Sequence, residues 1–456
     1  WGKSRADCRR KTLWRLRPGC LRSQLSGAYL SEACLFNRPW NVGVDSDESL
    51  AFESGQDFGR DHGCMFGGIC LPWVDKRPGW AFHQRGAYLV QVGNCAACHT
   101  ARGGFPFAGG KGIDTSFGTV FTSNITSDKL TGIGAWSAAD FWQAMHHGRS
   151  KDGRLLYPAF PYTEYTRITR DDTDAMFAYL LSVQPVQQAN RPHALKFPYN
   201  TQAALAVWRA LFFSPEPFEP LKQQSDEWNR GAYLVKGLGH CQACHAPRNV
   251  FGATQSNRGL TGGLIPMQNW YAPSLSSPAE AGLQDWPIEE IMQLLKSGKT
   301  AHSSTLGPMA EVVFSSTQHL NQKDLRAIAH FLKELPRQEN AKQDRKLSTT
   351  EGQQIGQSLY LNQCAQCHGD HGEGRGDYPA LAGNRTVIMN SSVNLVRIIL
   401  SGGFAPTTEG NPRPYGMPPF GHTLSDSEVA AVATYVRNAW GHKAGAVMQL
   451  DVQKTR

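Results

Sequence analysis

Cys95-Ala-Ala-Cys98-His99, Cys241-Gln-Ala-Cys244-His245 and Cys364-Ala-Gln-Cys367-His368 are one pentad written three times, and they decide how the rest of the chain reads. From the composition, one such pentad is expected by chance roughly 0.01 times in a chain of this length. Two thiols three positions apart can add to the two vinyl groups of one haem, while the adjacent imidazole is offered to the iron. A redox dithiol does not require the histidine. Zinc would want a second CxxC or a His pair at short range, and none follows. Three covalent haem c groups are the expectation. Their attachment residues are Cys95, Cys98, Cys241, Cys244, Cys364 and Cys367, and their axial histidines are His99, His245 and His368.

Working outward, nearly the same helix precedes the first two pentads: Arg85-Gly-Ala-Tyr-Leu-Val90 and Arg230-Gly-Ala-Tyr-Leu-Val235. The third copy is looser, with Gly356, Leu359 and Tyr360. Glycine there lets a second helix approach closely. Each unit closes on an amphipathic segment, at 172–180, 324–332 and 427–436, with apolar residues at i, i+3, i+4 and i+7. A middle helix lies between, at 138–147, 288–296 and 393–400, each ending at a glycine (Gly148, Gly298, Gly402) suited to a C-cap. The expected architecture is all-α: three tandem cytochrome c-like domains with short helices, extensive loops and haem filling cores too small to stand alone. The boundaries read as an extension of unknown nature over 1–80, then domains at 81–190, 227–336 and 351–441. A Pro-rich linker spans 191–226, a polar one 337–350, and a tail 442–456. Inside the first linker, 203–213 is almost wholly apolar and reads as a buried interdomain helix, with a membrane-surface or partner contact as the alternative.

An electron-carrying haem usually has both axial positions filled. Met417, in Tyr415-Gly-Met-Pro-Pro-Phe420, and Met309, in Gly307-Pro-Met309, occupy corresponding Pro/Gly loops and read as sixth ligands. Aligning Trp136 with Trp286 puts Phe160 at that place in the first unit, and Phe cannot ligate iron. The candidates there are Met145, then His146 or His147.

The charge is +8, but residues 1–22 hold eight basic side chains against Asp7, leaving +1 for the other 434 residues. A nucleic-acid footprint on the folded body is therefore not expected. No run of 18 apolar residues exists, so no membrane-spanning helix is expected. With no initiator Met and no apolar signal core, the start reads as a processed export product or an unusual terminus. There is no Rossmann fingerprint or P-loop.

Together with the three pentads, Phe121-Thr-Ser-Asn-Ile-Thr126, Thr131-Gly-Ile-Gly134, Tyr157-Pro-Ala-Phe-Pro-Tyr162, Trp228-Asn-Arg-Gly-Ala-Tyr-Leu-Val235 and Ala382-Gly-Asn384 make residues 81–441 resemble a known family. It is that of the trihaem cytochrome c subunits of membrane-bound periplasmic dehydrogenases of acetic acid bacteria. The resemblance implies an electron relay from a catalytic dehydrogenase subunit to ubiquinone, at the periplasmic face of the bacterial inner membrane and peripherally held. No chemistry is expected of the chain alone. Alcohol and gluconate members usually carry Met where Phe160 stands. The Phe form resembles cytochromes serving molybdopterin aldehyde dehydrogenases with a small iron–sulfur subunit, which makes aldehyde the first expectation. A quinoprotein alcohol or flavin gluconate/polyol dehydrogenase is the alternative, and a stand-alone multihaem peroxidase, using an open first haem, is the remote one.

Overall fold

The computed structural model describes residues 78–338 and 349–456. Residues 1–77 of the N-terminal extension and 339–348 of the second linker lie outside the described residues. Three sets of helices frame the molecule. Opening helices run over Pro78–Val92, Asp226–Tyr233 and Thr350–Gln363. Middle helices run over Ala138–His147, Ile288–Ser297 and Val393–Ser401, and closing helices over Arg170–Leu180, Gln322–Lys333 and Asp426–Asn438. The starts are set by side chains that accept an otherwise unpaired backbone N–H: Thr169, Ser225, Asn321 and Thr349, with full capping boxes at Ser137/Asp140 and Ser425/Glu428. Gly148 and Gly298 stop their middle helices in the left-handed conformation. Among the described residues, three small antiparallel sheets interrupt the loops, the largest pairing Gly112–Thr115, Gly118–Phe121 and Ala194–Leu195.

Each opening helix crosses its closing helix at a glycine. A Cβ on Gly86, Gly231 or Gly356 would overlap the carbonyl oxygen of Ala175, Ala327 or Ala431 respectively. No other residue permits that approach. Cys95 follows Gly86 by nine residues, whereas Cys241 follows Gly231 by ten. The extra residue is absorbed as a π-helical turn over Leu234–Leu238, so the crossing and the pentad both keep their places.

The first two units share one core, in which Leu89, Phe141, Met176 and Leu180 meet Leu234, Leu238, Ile291 and Phe331; the third has its own. The shared core is locked by a reciprocal polar pair. Tyr88 donates to Asp324 (2.7 Å), which Arg230 grips through Nε and Nη2 (both 2.8 Å). In mirror fashion, Tyr233 donates to Asp172, which forms an ion pair with Arg85. Each repeated Arg-Gly-Ala-Tyr thus serves its own closing helix through Arg and the other unit's through Tyr. Burial alone would raise the Asp324 carboxyl, but the hydrogen bonds from Arg230 and Tyr88 outweigh it and hold it below the usual value. The third unit instead buries Arg437 completely and donates it to the Val387, Met389 and Ala444 carbonyls.

One expectation needs correction. The linker helix forms over Gln202–Phe212 and bridges the first two units, since Arg209 reaches the His147 carbonyl (2.6 Å) and Trp208 that of Phe251 (2.9 Å). It is not buried, however. Leu205 alone is, and its outer side faces water, because those two polar anchors fasten only one face. In the tail, helix Gln449–Thr455 packs Val452 into the third core, and Arg456 pairs with Asp426.

Candidate haem sites

Each pentad forms a short helix, at Cys95–His99, Gln242–His245 and Ala365–His368. In each, the histidine Nδ1 lies against a backbone carbonyl: Ser123 for His99 (2.7 Å), Pro273 for His245 (2.8 Å) and Pro379 for His368 (2.8 Å). A carbonyl only accepts, so Nδ1 carries the proton and Nε2 is left with its lone pair. Burial pushes all three imidazoles below their ordinary value, against the opposing effect of that hydrogen bond, and so favours the neutral form that binds iron. One arrangement thus occurs three times, once at the histidine of each pentad, and it is the support that an imidazole ligand to iron needs.

A further repeated feature escaped sequence reading. Gly109, Gly262 and Gly374 each donate their N–H to the carbonyl of the pentad histidine at 2.7 Å, with φ of 75°, 83° and 78°. Only glycine adopts that conformation cheaply. These glycines follow their histidines by ten, seventeen and six residues, so no fixed spacing betrays them.

Burial pushes the thiols of Cys95 and Cys241 up to about 12 and that of Cys364 to about 11. Zinc needs thiolates, which this environment disfavours, and among the described residues no cluster of three His, Cys, Asp or Glu side chains could hold a metal ion. Thioether attachment, which leaves uncharged sulfur in an apolar wall, fits. The paired cysteines, the fixed histidine tautomer and the apolar surroundings all suit covalent haem c.

The first two pentads lie close together. Tyr165 donates to the Gly93 carbonyl (3.3 Å), two residues before Cys95, and its ring meets that of His240, the residue before Cys241, edge-on at 5.7 Å. Met417 sits on the strand Gly416–Met417 and packs on the third core, as does Cys364. Met309 is the second residue of helix Pro308–Ser315, partly buried, beyond a Gly307 whose left-handed backbone is covered by the Trp270 ring. In the first unit, Met145 is buried in the shared core. Phe160 packs against the same core and touches Tyr162 and Tyr165. His146 stacks on Trp142 (3.3 Å between centroids), places Nε2 3.4 Å from the Thr173 hydroxyl and hydrogen-bonds the Thr166 backbone. Burial pushes it down to about 4. His147 is less enclosed.

Comparison with known proteins agrees with this chemistry. The cytochrome c family model matches residues 83–184 and 353–440. The chain is 40% identical over 394 residues to the cytochrome c subunit of a quinone alcohol dehydrogenase of Gluconobacter oxydans, with 82% of each chain covered. It is 37% identical to the gluconate 2-dehydrogenase cytochrome c subunit of Pantoea cypripedii, covering 84% of this chain and 91% of that one. To the fructose dehydrogenase cytochrome subunit of Gluconobacter japonicus it is 35% identical, with 82% of each covered. The chain belongs to the family of cytochrome c subunits of alcohol, gluconate and fructose dehydrogenases.

Proposed function

We propose that the protein carries three covalent haem c groups and relays electrons from the catalytic subunit of an alcohol-, gluconate- or fructose-type dehydrogenase to ubiquinone. It does so as a peripheral subunit at the periplasmic face of the inner membrane. The observation that carries the reading is the threefold pairing of CxxCH with an Nδ1–carbonyl hydrogen bond, including the unit at 227–336, which lies outside the family-model matches. The relatives' names favour this partner class over the aldehyde dehydrogenase and its iron–sulfur subunit, an expectation that rested on Phe160. Among the described residues no helix is long and apolar enough to cross a membrane, consistent with peripheral attachment.

A bound haem supplies a one-electron Fe(III)/Fe(II) couple. The chain's residues would attach three such groups through six cysteines, two to each, and hold the proximal imidazoles in one tautomer. Met309 and Met417 would serve as the second axial ligands of the second and third. For the first, His146 is occupied by Thr166 and Thr173, so Met145 would be the preferred ligand and His147 the next.

Three outcomes test this. Mass spectrometry under denaturing conditions should retain three haem masses on the chain, and one or two would refute the count. Met145→Ala should convert one of three low-spin signals to high-spin and lower that potential; three unchanged low-spin signals would move the assignment to His147. Purified cytochrome should oxidise no alcohol or sugar acid alone, yet be reduced within turnover time by its catalytic partner and substrate. Turnover by the cytochrome alone would sink the relay and favour an enzyme.

A further inference from the structure

The outer stripe of the linker helix, Ala203, Ala206, Val207, Ala210 and Leu211, is exposed and carries no polar side chain. Val207 and Leu211 are 62% and 68% exposed. A helix on a protein surface normally turns a polar face outward, so one that is apolar on both faces is built to be covered. The stripe does not stand alone. Phe251 stacks on Phe212 (5.7 Å), beside Val250, which is 87% exposed. Gly252 abuts the Phe117 ring, which packs on Tyr199 (4.5 Å), next to Phe197 at 83% exposure. Three separate segments therefore present one continuous apolar face, with large side chains at the loop tips.

The charge around it is mainly positive. Residues 191–213 and 247–258, which carry most of the face, contain Arg191, Lys196, Arg209, Arg248 and Arg258 and no Asp or Glu. The turn hydrogen-bonded to the helix start through Gln202 and Leu155 adds Arg149, Lys151 and Arg154 against Asp152. Apolar tips, a helix exposed along its length, amphipathic Trp208 and Tyr199, and a cationic rim together complement an anionic lipid surface.

We propose that this face, centred on Val207, Leu211 and Phe251, is the site at which the protein lies on an anionic phospholipid bilayer, with the linker helix parallel to the membrane. The proposal rests on the membrane-associated reading above and specifies the surface that reading leaves open.

The test uses the purified holo-cytochrome and vesicles of phosphatidylcholine with or without phosphatidylglycerol. Binding should require phosphatidylglycerol and slow hydrogen exchange over 197–213 and 249–252. The exposed-site triple variant Val207→Gln/Leu211→Gln/Phe251→Gln should weaken vesicle binding by about tenfold or more, while Lys196→Glu weakens it less. Haem content, spectrum and reduction by the catalytic partner in detergent should stay those of the parent, so that failure here is separable from failure of the relay reading. Binding carried by the basic residues 1–22 would leave the triple variant and the exchange pattern unchanged, and would overturn the proposal. So would a triple variant that binds vesicles normally but no longer associates with the catalytic subunit, or with a second copy, since either result gives the face to a protein partner.

Discussion

Gly231→Ala will prevent the second opening and closing helices from meeting and should cost more than about 4 kcal/mol, the range reached only by severe steric or backbone disruption. The added methyl would occupy the space of the Ala327 carbonyl oxygen and would also lie 2.8 Å from the Phe331 Cβ. Neither can yield as a flexible side-chain end could, so the helices must separate, and with them the wall behind Cys241 and His245. The expected readout is loss of most haem-loaded protein from the cell, and a large fall in melting temperature for what survives. Gly86→Ala should behave alike in the first unit. Gly79→Ala is the control: it lies on the same opening helix as Gly86, nothing stands within 4 Å of its added Cβ, and the better helix former should leave stability unchanged or slightly higher. A Gly231→Ala protein with parental haem yield and melting temperature would show that the crossing does not hold the unit together.

Asp324→Ala should cost about 3 kcal/mol or more. It leaves the Arg230 guanidinium without its bidentate partner and the Tyr88 hydroxyl without its acceptor, at a site where the carboxylate is 6% exposed. Asp172→Ala should act likewise through Tyr233, and Tyr88→Phe more mildly, by about 1 kcal/mol. The pH dependence follows from the depressed Asp324 value. An unfolded aspartate titrates near 4 and the folded one lower, so the unfolded chain binds more protons in that window. The stabilisation is complete above about pH 4 and is lost as the pH falls through the lower folded value. Acid unfolding of the Asp324→Asn variant should therefore begin from lower stability and show a shallower slope there. Because each tyrosine hydrogen-bonds a different aspartate across the shared core, the two tyrosine substitutions should add in lowering one common unfolding transition if the first two units unfold together. Two resolved transitions would mean that they unfold separately.

Much of this was legible beforehand because it is local. Gly148 and Gly298 end their middle helices at the residue that directly follows the last turn. The middle and closing helices follow an apolar period that needs no knowledge of the partner surface. The linker helix shows the limit. A segment apolar on every side gives no periodic signal for which face is covered, and sequence reading placed it inside. It lies on the surface because the polar anchors Trp208 and Arg209, which reach two carbonyls, and the one buried side chain, Leu205, fasten one side of it. Phe160 is a second limit: alignment shows where a methionine is missing, but which neighbour replaces it depends on packing between helices distant in sequence.

The sequence by itself determined the covalent chemistry and the repeat, since thiol spacing, the adjacent imidazole and helix periodicity are all written within a few residues. Tertiary structure alone decided what fixes those imidazoles. Ser123, Pro273 and Pro379 are ordinary loop residues at 24, 28 and 11 positions from their histidines, and they matter only for a backbone carbonyl whose direction is set by the fold. It likewise decided that each repeated tyrosine serves the neighbouring unit's aspartate rather than its own. Two identical motifs offer the same donors and acceptors in either pairing, and only the packing of one core across both units selects between them.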